Sequence, residues 1–401
     1  MFNPFRSVAL AIGAVLVLGA ALPLSADEAK PAQPAEAPKV AASWTIDIVI
    51  CLDVSGSMNG LIDSAKLQLW NVVNELARIK PTPQLRVGLY SYGANHYDRN
   101  KGWVKRHTDL TEDLDEVYEQ LNALKTGGGD ELVARVTKAA LDEQPWSKEK
   151  GALKLLFVCG NEAADQDQQV KLEDVAAEAK QAGVIINTIY CKYGQDGEIP
   201  GWAAFSEEAH GRHVNIDQNK AAQQVVVKTE FDDKILKLNA ELNNTYVAYG
   251  KAGLAKADNQ KAQDANAAKA AGPAPGAAPV AALERAATKA GALYRNATWD
   301  LVDAMKAKDF DLTKIKEEDL CDELKKIKPA ERLAYLKKKG EERVSIQKQI
   351  TELSAARQKK IDAERAKKPK SEGEKALDEA FKTLIRDQAK AKGFEVAPEK
   401  K

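Results

Sequence analysis

Residues 53–58 read Asp-Val-Ser-Gly-Ser-Met and follow a run, 46–52, that is β-branched and apolar apart from Asp47. Asp53, Ser55 and Ser57 alternate along a backbone that turns at Gly56, so three side-chain oxygens can be aimed at one point. A carboxylate with two hydroxyls is a hard donor set, suited to Mg²⁺, Mn²⁺ or Ca²⁺ and not to zinc. The carboxyl end of a central parallel strand is also where open α/β sheets bind ligands. Other chemistries fail on spacing. A phosphoryl-accepting aspartate would want a second aspartate at 55, where a serine stands. A hydrolase elbow needs Gly-x-Ser-x-Gly, whereas Ser57 has Gly56 directly before it and Met58 after it. No Gly-x-x-x-x-Gly-Lys loop is present for a nucleotide. With no nucleophile–base pair visible, the expected reaction class is binding and the chain is expected not to be an enzyme.

The elements around this run alternate in type. Strands are expected over 46–52, 85–92, 103–108, 153–158, 184–190 and 214–216, and helices over 61–79, 114–124, 131–141, 172–182 and 202–209. That alternation implies an α/β fold with a doubly wound, mostly parallel sheet. Beyond about residue 218 the strand pattern stops. The remainder divides into a helix over 226–250, an Ala/Gly/Pro linker over 251–280 and a charged helical region over 281–401. Residues 329–367 read as one long helix. Its apolar stripe, Leu336, Ile346, Ile350 and Leu353, is thin and interrupted by Gly340, so a coiled coil is only weakly indicated. Ser371-Glu372-Gly373-Glu374 matches a capping box and opens an amphipathic helix with Leu377, Phe381, Leu384 and Ile385 on one face.

The Asp-x-Ser-x-Ser run, with its strand, following helix and glycine-rich turn, resembles the metal-ion-dependent adhesion site of von Willebrand factor A domains. The resemblance covers about 44–225, within a domain expected over 43–225. It implies two further ligands, and the sequence departs at both. The second motif is usually Gly-Gly-x-Thr; here Thr126-Gly127-Gly128-Gly129-Asp130-Glu131 puts Asp130 at the threonine position. The third is usually Thr-Asp-Gly, and Cys159-Gly160-Asn161-Glu162 puts Gly160 where the aspartate would be. The implied metal ligands are therefore Asp53, Ser55, Ser57 and Asp130, with Asn161 and Glu162 reaching the ion through water. A rebuilt site of two carboxylates and two hydroxyls keeps the charge around the ion that the resemblance implies. Mg²⁺, or else Mn²⁺ or Ca²⁺, would then engage an acidic residue of a protein partner. The rival expectation is a scaffolding envelope protein in which the metal site is vestigial and the helical region makes the contacts, self-association included.

The chain has 401 residues with 59 basic and 59 acidic side chains, a balance that argues against a nucleic-acid binder. Acidic residues outnumber basic ones over 41–230 and the reverse holds over 231–401. Residues 1–26 have one basic residue, Arg6, an apolar run over 8–24 and Leu24-Ser25-Ala26 before Asp27, the layout of a signal peptide. Residues 27–42, with Pro31, Pro34 and Pro38 among alanines, read as a tether. The protein is thus expected to be exported, whether periplasmic, at the cell surface or secreted, with an uncleaved segment 1–26 the one route to a membrane anchor.

Four cysteines do not build a disulfide scaffold. Cys51, Cys159 and Cys191 are expected as small buried thiols, a Cys159–Cys191 bridge being the sharper alternative. His210 and His213 are expected to pack or face solvent and not to bind a transition metal. Asn296-Ala297-Thr298 matches a glycosylation acceptor, but beside Trp299 in a helix it reads as packing.

Overall fold

A computed structural model describes residues 44–192, 196–216, 227–270, 280–365, 367 and 377–396. The signal-peptide and tether segments, the Ala-Gly-Pro run after residue 270, the start of the helix expected from 226 and the capping box at 371–374 lie outside the described residues.

Six strands form one sheet: β1 (Thr45–Asp53), β2 (Gln84–Tyr92), β3 (Val104–Thr111), β4 (Leu153–Gly160), β5 (Ile185–Tyr190) and β6 (His213–Asn215). Their order is β3-β2-β1-β4-β5-β6, with every neighbouring pair parallel except β2–β3. Chain order therefore reverses beside β1, the switch point at which such sheets bind ligands. β1 is buried on both faces, as its continuous apolar run requires. Its one charged interior residue, Asp47, is matched by a bidentate Arg86 at 2.7 and 2.8 Å and by the Ser147 amide at 2.7 Å. That pairing offsets the penalty of a buried carboxylate.

One face of the sheet is covered by α3 (Val133–Glu143), α4 (Leu172–Ala182) and α5 (Ile199–Glu208), packed on Val49, Cys51, Leu156, Val158 and Ile186. The other face carries α1 (Asn59–Leu76) and α2 (Leu114–Ala123) on Ile48, Leu52, Leu89, Leu155 and Phe157. Alternate residues of each strand serve the two layers, the period of two that a pleated strand dictates.

After β6 the chain continues through α6 (Asp232–Asn243), α7 (Gly253–Lys269), α8 (Val280–Ala290), α9 (Leu301–Ala304), α10 (Asp322–Lys325), α11 (Pro329–Arg365) and α12 (Leu377–Ala391). These helices belong to the same compact unit as the sheet, Ser43–Lys401. α12 lies on the sheet itself. Phe381 meets Phe157 with ring centroids 4.4 Å apart, and the amides of Gln388 and Asn187 bond each other at 2.6 and 3.0 Å. Glu395 and Lys80 then exchange two backbone hydrogen bonds. The last described residues thus complete the layer that α1 begins.

The stretch read as a linker over 251–280 contains a 17-residue helix, α7. Its inner face is Gln260, Gln263 and Ala267, all buried, and Gln260 donates to the Tyr294 hydroxyl at 3.0 Å. An amide-lined interior has no apolar periodicity to detect, which is why composition alone suggested a linker. α6, α8 and α11 enclose Ile235, Leu242, Leu283, Ala286 and Ile350 in a core of their own.

Candidate metal site

Asp53 closes β1, in register with Tyr92 of β2. Its side chain is fully buried. Oδ1 accepts from the Ser55 amide at 2.7 Å, holding the turn, whereas Oδ2 is buried with no hydrogen-bond partner. Ser55 Oγ stands 3.2 Å from Ser57 Oγ, and Ser57 Oγ in turn accepts from Asn161 Nδ2 at 3.0 Å. The glycine turn is pinned against this loop: Ser55 bridges Gly127, whose amide donates to the Val54 carbonyl at 2.9 Å.

The charge pattern is one-sided. Burial pushes the Asp53 carboxyl up to about 7; hydrogen bonds from Ser55 oppose this, and the neighbouring Glu131 and Glu162 add to it. Burial likewise raises Glu131, which also feels Glu162 and Asp130. Gly93, at φ +84°, makes the approach of Asp53 and Glu131 feasible. A Cβ there would stand 3.0 Å from Asp53 Oδ1 and 3.2 Å from Glu131 Cγ.

Asp130 is exposed, and its Oδ2 accepts from Trp103 Nε1 at 3.4 Å. Trp103 holds the left-handed backbone at φ +58°, an unusual conformation for a bulky residue.

The missing third-motif aspartate has a steric cause. A Cβ on Gly160 would come within 2.6 Å of the Tyr92 hydroxyl and 2.9 Å of the Trp202 ring. Both are anchored, Tyr92 donating to the Cys159 carbonyl at 3.0 Å and Trp202 to the Glu162 carbonyl at 2.8 Å. The side chain that reaches the site from this loop is the next one, Asn161.

Asp53, Ser55, Ser57 and Asn161 are therefore brought together, Glu162 lies within electrostatic reach of Asp53, and Asp130 sits at the rim. Glu131 was not among the residues singled out from sequence. The signal for it lay in the three consecutive glycines, which allow Gly-Gly-x to be read in either of two registers.

A divalent cation fits these residues. A buried carboxylate oxygen without a partner, two adjacent hydroxyls and an excess of carboxylates are what a hard cation would satisfy. Among the described residues no group of three or more His, Cys, Asp or Glu side chains is placed to hold a metal.

The other candidates resolve simply. All four cysteines are free, and Cys51, Cys159 and Cys191 are fully buried. The bridge weighed for Cys159 and Cys191 is not formed. His213 Nδ1 pairs with Thr188 Oγ1 at 2.8 Å. A Cβ on Gly211, before it, would lie 1.7 Å from the Ile186 carbonyl oxygen, so that turn serves packing. Asn296 is buried, out of reach of a glycan.

The sheet order and the helices on both faces define an α/β fold of the von Willebrand factor A type. Residues 47–233 are a von Willebrand factor type A domain, matching the model of that family. Among solved structures, the proximal thread matrix protein 1 of the mussel byssus is similar at 12% identity and TM-score 0.35, over 45% of this chain and 44% of that one. One structure of that mussel protein has zinc in its MIDAS motif. The SpRpn10 VWA domain aligns at 15% identity and TM-score 0.34, over 45% of this chain and 96% of that one. A von Willebrand factor type A structure from Catenulispora acidiphila aligns at 16% identity and TM-score 0.33, over 44% and 40%. The chain thus spans less than half the length of the mussel protein. No curated protein matches the sequence. Among the described residues no helix is long and apolar enough to cross a membrane.

Proposed function

We propose that this protein is a non-enzymatic, exported interaction protein that engages a partner protein through a divalent cation at the top of its sheet. The observation that carries the reading is the Asp53 carboxylate, buried, with Oδ2 lacking any hydrogen-bond partner beside Ser55 and Ser57. The bond from the Ser55 amide engages only Oδ1, and a desolvated carboxylate with its second oxygen unpaired costs several kcal/mol unless a cation or a proton compensates it. Asp53, Ser55 and Ser57 would hold the ion, with Asn161 orienting Ser57. Bound there, the ion supplies a positive charge to which an acidic side chain of the partner can attach. Hard oxygen donors favour Mg²⁺, Mn²⁺ or Ca²⁺.

Calorimetric titration of the full chain with each of these ions tests the reading, with Asp53→Ala as control. Saturable binding that vanishes in the variant is the expected result. Absence of binding up to millimolar ion overturns it and leaves a scaffolding role for the helical region.

A further inference from the structure

We propose that Glu131 is a direct ligand of this cation, joining Asp53, Ser55 and Ser57, and that the adjacent Asp130 is not. The inference rests on the reading of the site as a cation site and goes further by assigning its second carboxylate.

Three observations carry it. First, the two neighbouring acids are placed differently. Asp130 is exposed and engaged by the Trp103 indole, while Glu131 is half-buried at the N-terminal approach to α3. Second, Gly93 brings Glu131 towards the ion ligand. The point its Cβ would occupy is 3.0 Å from Asp53 Oδ1 and 3.2 Å from Glu131 Cγ, so both side chains close on this one position. A Cβ at 93 would crowd both side chains, and the left-handed backbone there favours glycine independently. Third, Asp53 presents an unpartnered oxygen on a fully buried side chain, at the turn that Gly93 lines. Two carboxyl groups brought this close carry negative charge that a divalent ion would neutralise.

The three glycines leave either neighbour open in sequence. Gly127, Gly128 and Gly129 fit a Gly-Gly-x pattern ending at Asp130 or, one residue later, at Glu131. The pairing of Ser55 with Gly127 holds the glycine turn against the Asp53–Ser57 loop, next to both acids. A carboxylate in place of a neutral hydroxyl also changes what the ion can do. With two direct carboxylates its charge is already balanced, so the ion binds without help from a partner and pulls less strongly on an outside acid.

The test is Mn²⁺ binding to the full chain by calorimetry, beside thermal melts without metal. Glu131→Gln is expected to weaken Mn²⁺ by at least ~10-fold, the scale on which ligand-set changes act. Asp130→Asn is expected to change it by less than ~2-fold. Glu131→Asp, which keeps the charge but shortens the reach, should fall between. In metal-free melts Glu131→Gln should match or exceed the wild type, because a repulsive neighbour of Asp53 has gone; this separates lost ligation from lost folding. Wild-type binding that survives Glu131→Gln, or that fails with Asp130→Asn instead, overturns the assignment. Absence of binding by the wild type overturns the cation site itself, a different result.

Discussion

Arg285 of α8 donates to the Asp115 carboxylate of α2 at 2.5 Å, with its guanidinium 4.7 Å above the Trp70 ring of α1. Both charged side chains are withdrawn from solvent. Asp115 also accepts from the Tyr294 hydroxyl, and Arg285 reaches on to Asp264, which holds Lys289 at 2.9 Å. A chain of alternating charges thus fastens the helices beyond β6 to the first two helices of the domain.

Breaking one link leaves its partner charged and buried, which costs about 3–5 kcal/mol. Asp115→Ala is expected to lower unfolding stability by that amount in urea titrations. Pairing Arg285→Met with Asp115→Leu should restore most of it, since an apolar pair of similar volume strands no charge. A loss under about 1 kcal/mol in Asp115→Ala would show the link to be incidental. By the same reasoning, a fragment ending at residue 250 lacks the helices that cover Trp70 and Phe157, and it should melt without a cooperative transition.

Restoring the third-motif carboxylate should harm this protein. At Gly160 a side chain meets the Tyr92 hydroxyl at 2.6 Å and the Trp202 ring at 2.9 Å, both held by their own hydrogen bonds. Gly160→Asp is expected to destabilise by at least about 2 kcal/mol through overpacking and a buried charge. It should bring no gain in affinity for Mn²⁺. Tighter metal binding at unchanged melting temperature would show that the loop adapts and that the steric account is wrong.

The sheet was legible because each of its buried strands is a short apolar run ending in turn residues, and the Asp53–Ser57 turn because its oxygen-bearing side chains fall within five residues. The helical region was harder to read. α11 has an inner seam of Leu336, Arg343, Ile350 and Arg357 at heptad intervals, all buried, so every second knob is an arginine. Arg343 donates to Asp300 at 2.7 Å and Arg357 to Asp232 at 3.0 Å. An apolar stripe counted from sequence looks thin where ion pairs fill the seam. Gly340 is not a break: a Cβ there would stand 3.2 Å from Met305 Cε, so the glycine admits α9. The apolar face of α12 was visible, but its destination was not. Phe381 finds Phe157 across more than half the chain, and nothing local encodes that address.

The pH dependence of stability should include a contribution from His107 on β3. Its ring is mostly buried, with Nε2 2.7 Å from Ser91 Oγ. Burial, with Lys105 nearby, lowers it from the usual 6.5 to about 4. The unfolded chain then binds a proton that the native state refuses between those values. Stability contributed by the neutral ring is present above pH 6.5 and is lost as pH falls towards 4. The loss amounts to about 1–2 kcal/mol for a ring that retains some exposure. Carboxylates titrate in the lower part of this window too, so the informative quantity is the difference between wild type and His107→Gln. The wild type should lose more stability between pH 6.5 and 4; parallel curves would mean that the ring protonates without strain.

On the proposed cation reading, Asp53 carries the opposing demands of folding and binding. Its carboxylate is buried, lacks a partner for Oδ2 and faces Glu131 and Glu162, so without a cation the fold is strained electrostatically at this point. An amide of the same shape removes the charge while keeping an oxygen for the Ser55 amide. Asp53→Asn should therefore raise metal-free stability by about 1–3 kcal/mol, the usual trade between a binding site and its scaffold. Wild type should gain stability with rising Mn²⁺ because only the native state offers the ligands, whereas Asp53→Asn should not respond. Melting curves of the two proteins, each with and without Mn²⁺, decide the matter. If the variant is the less stable of the pair without metal, the carboxylate is serving the fold through its bond to Ser55. If it is the more stable and indifferent to metal, the strain at Asp53 is maintained for the ion.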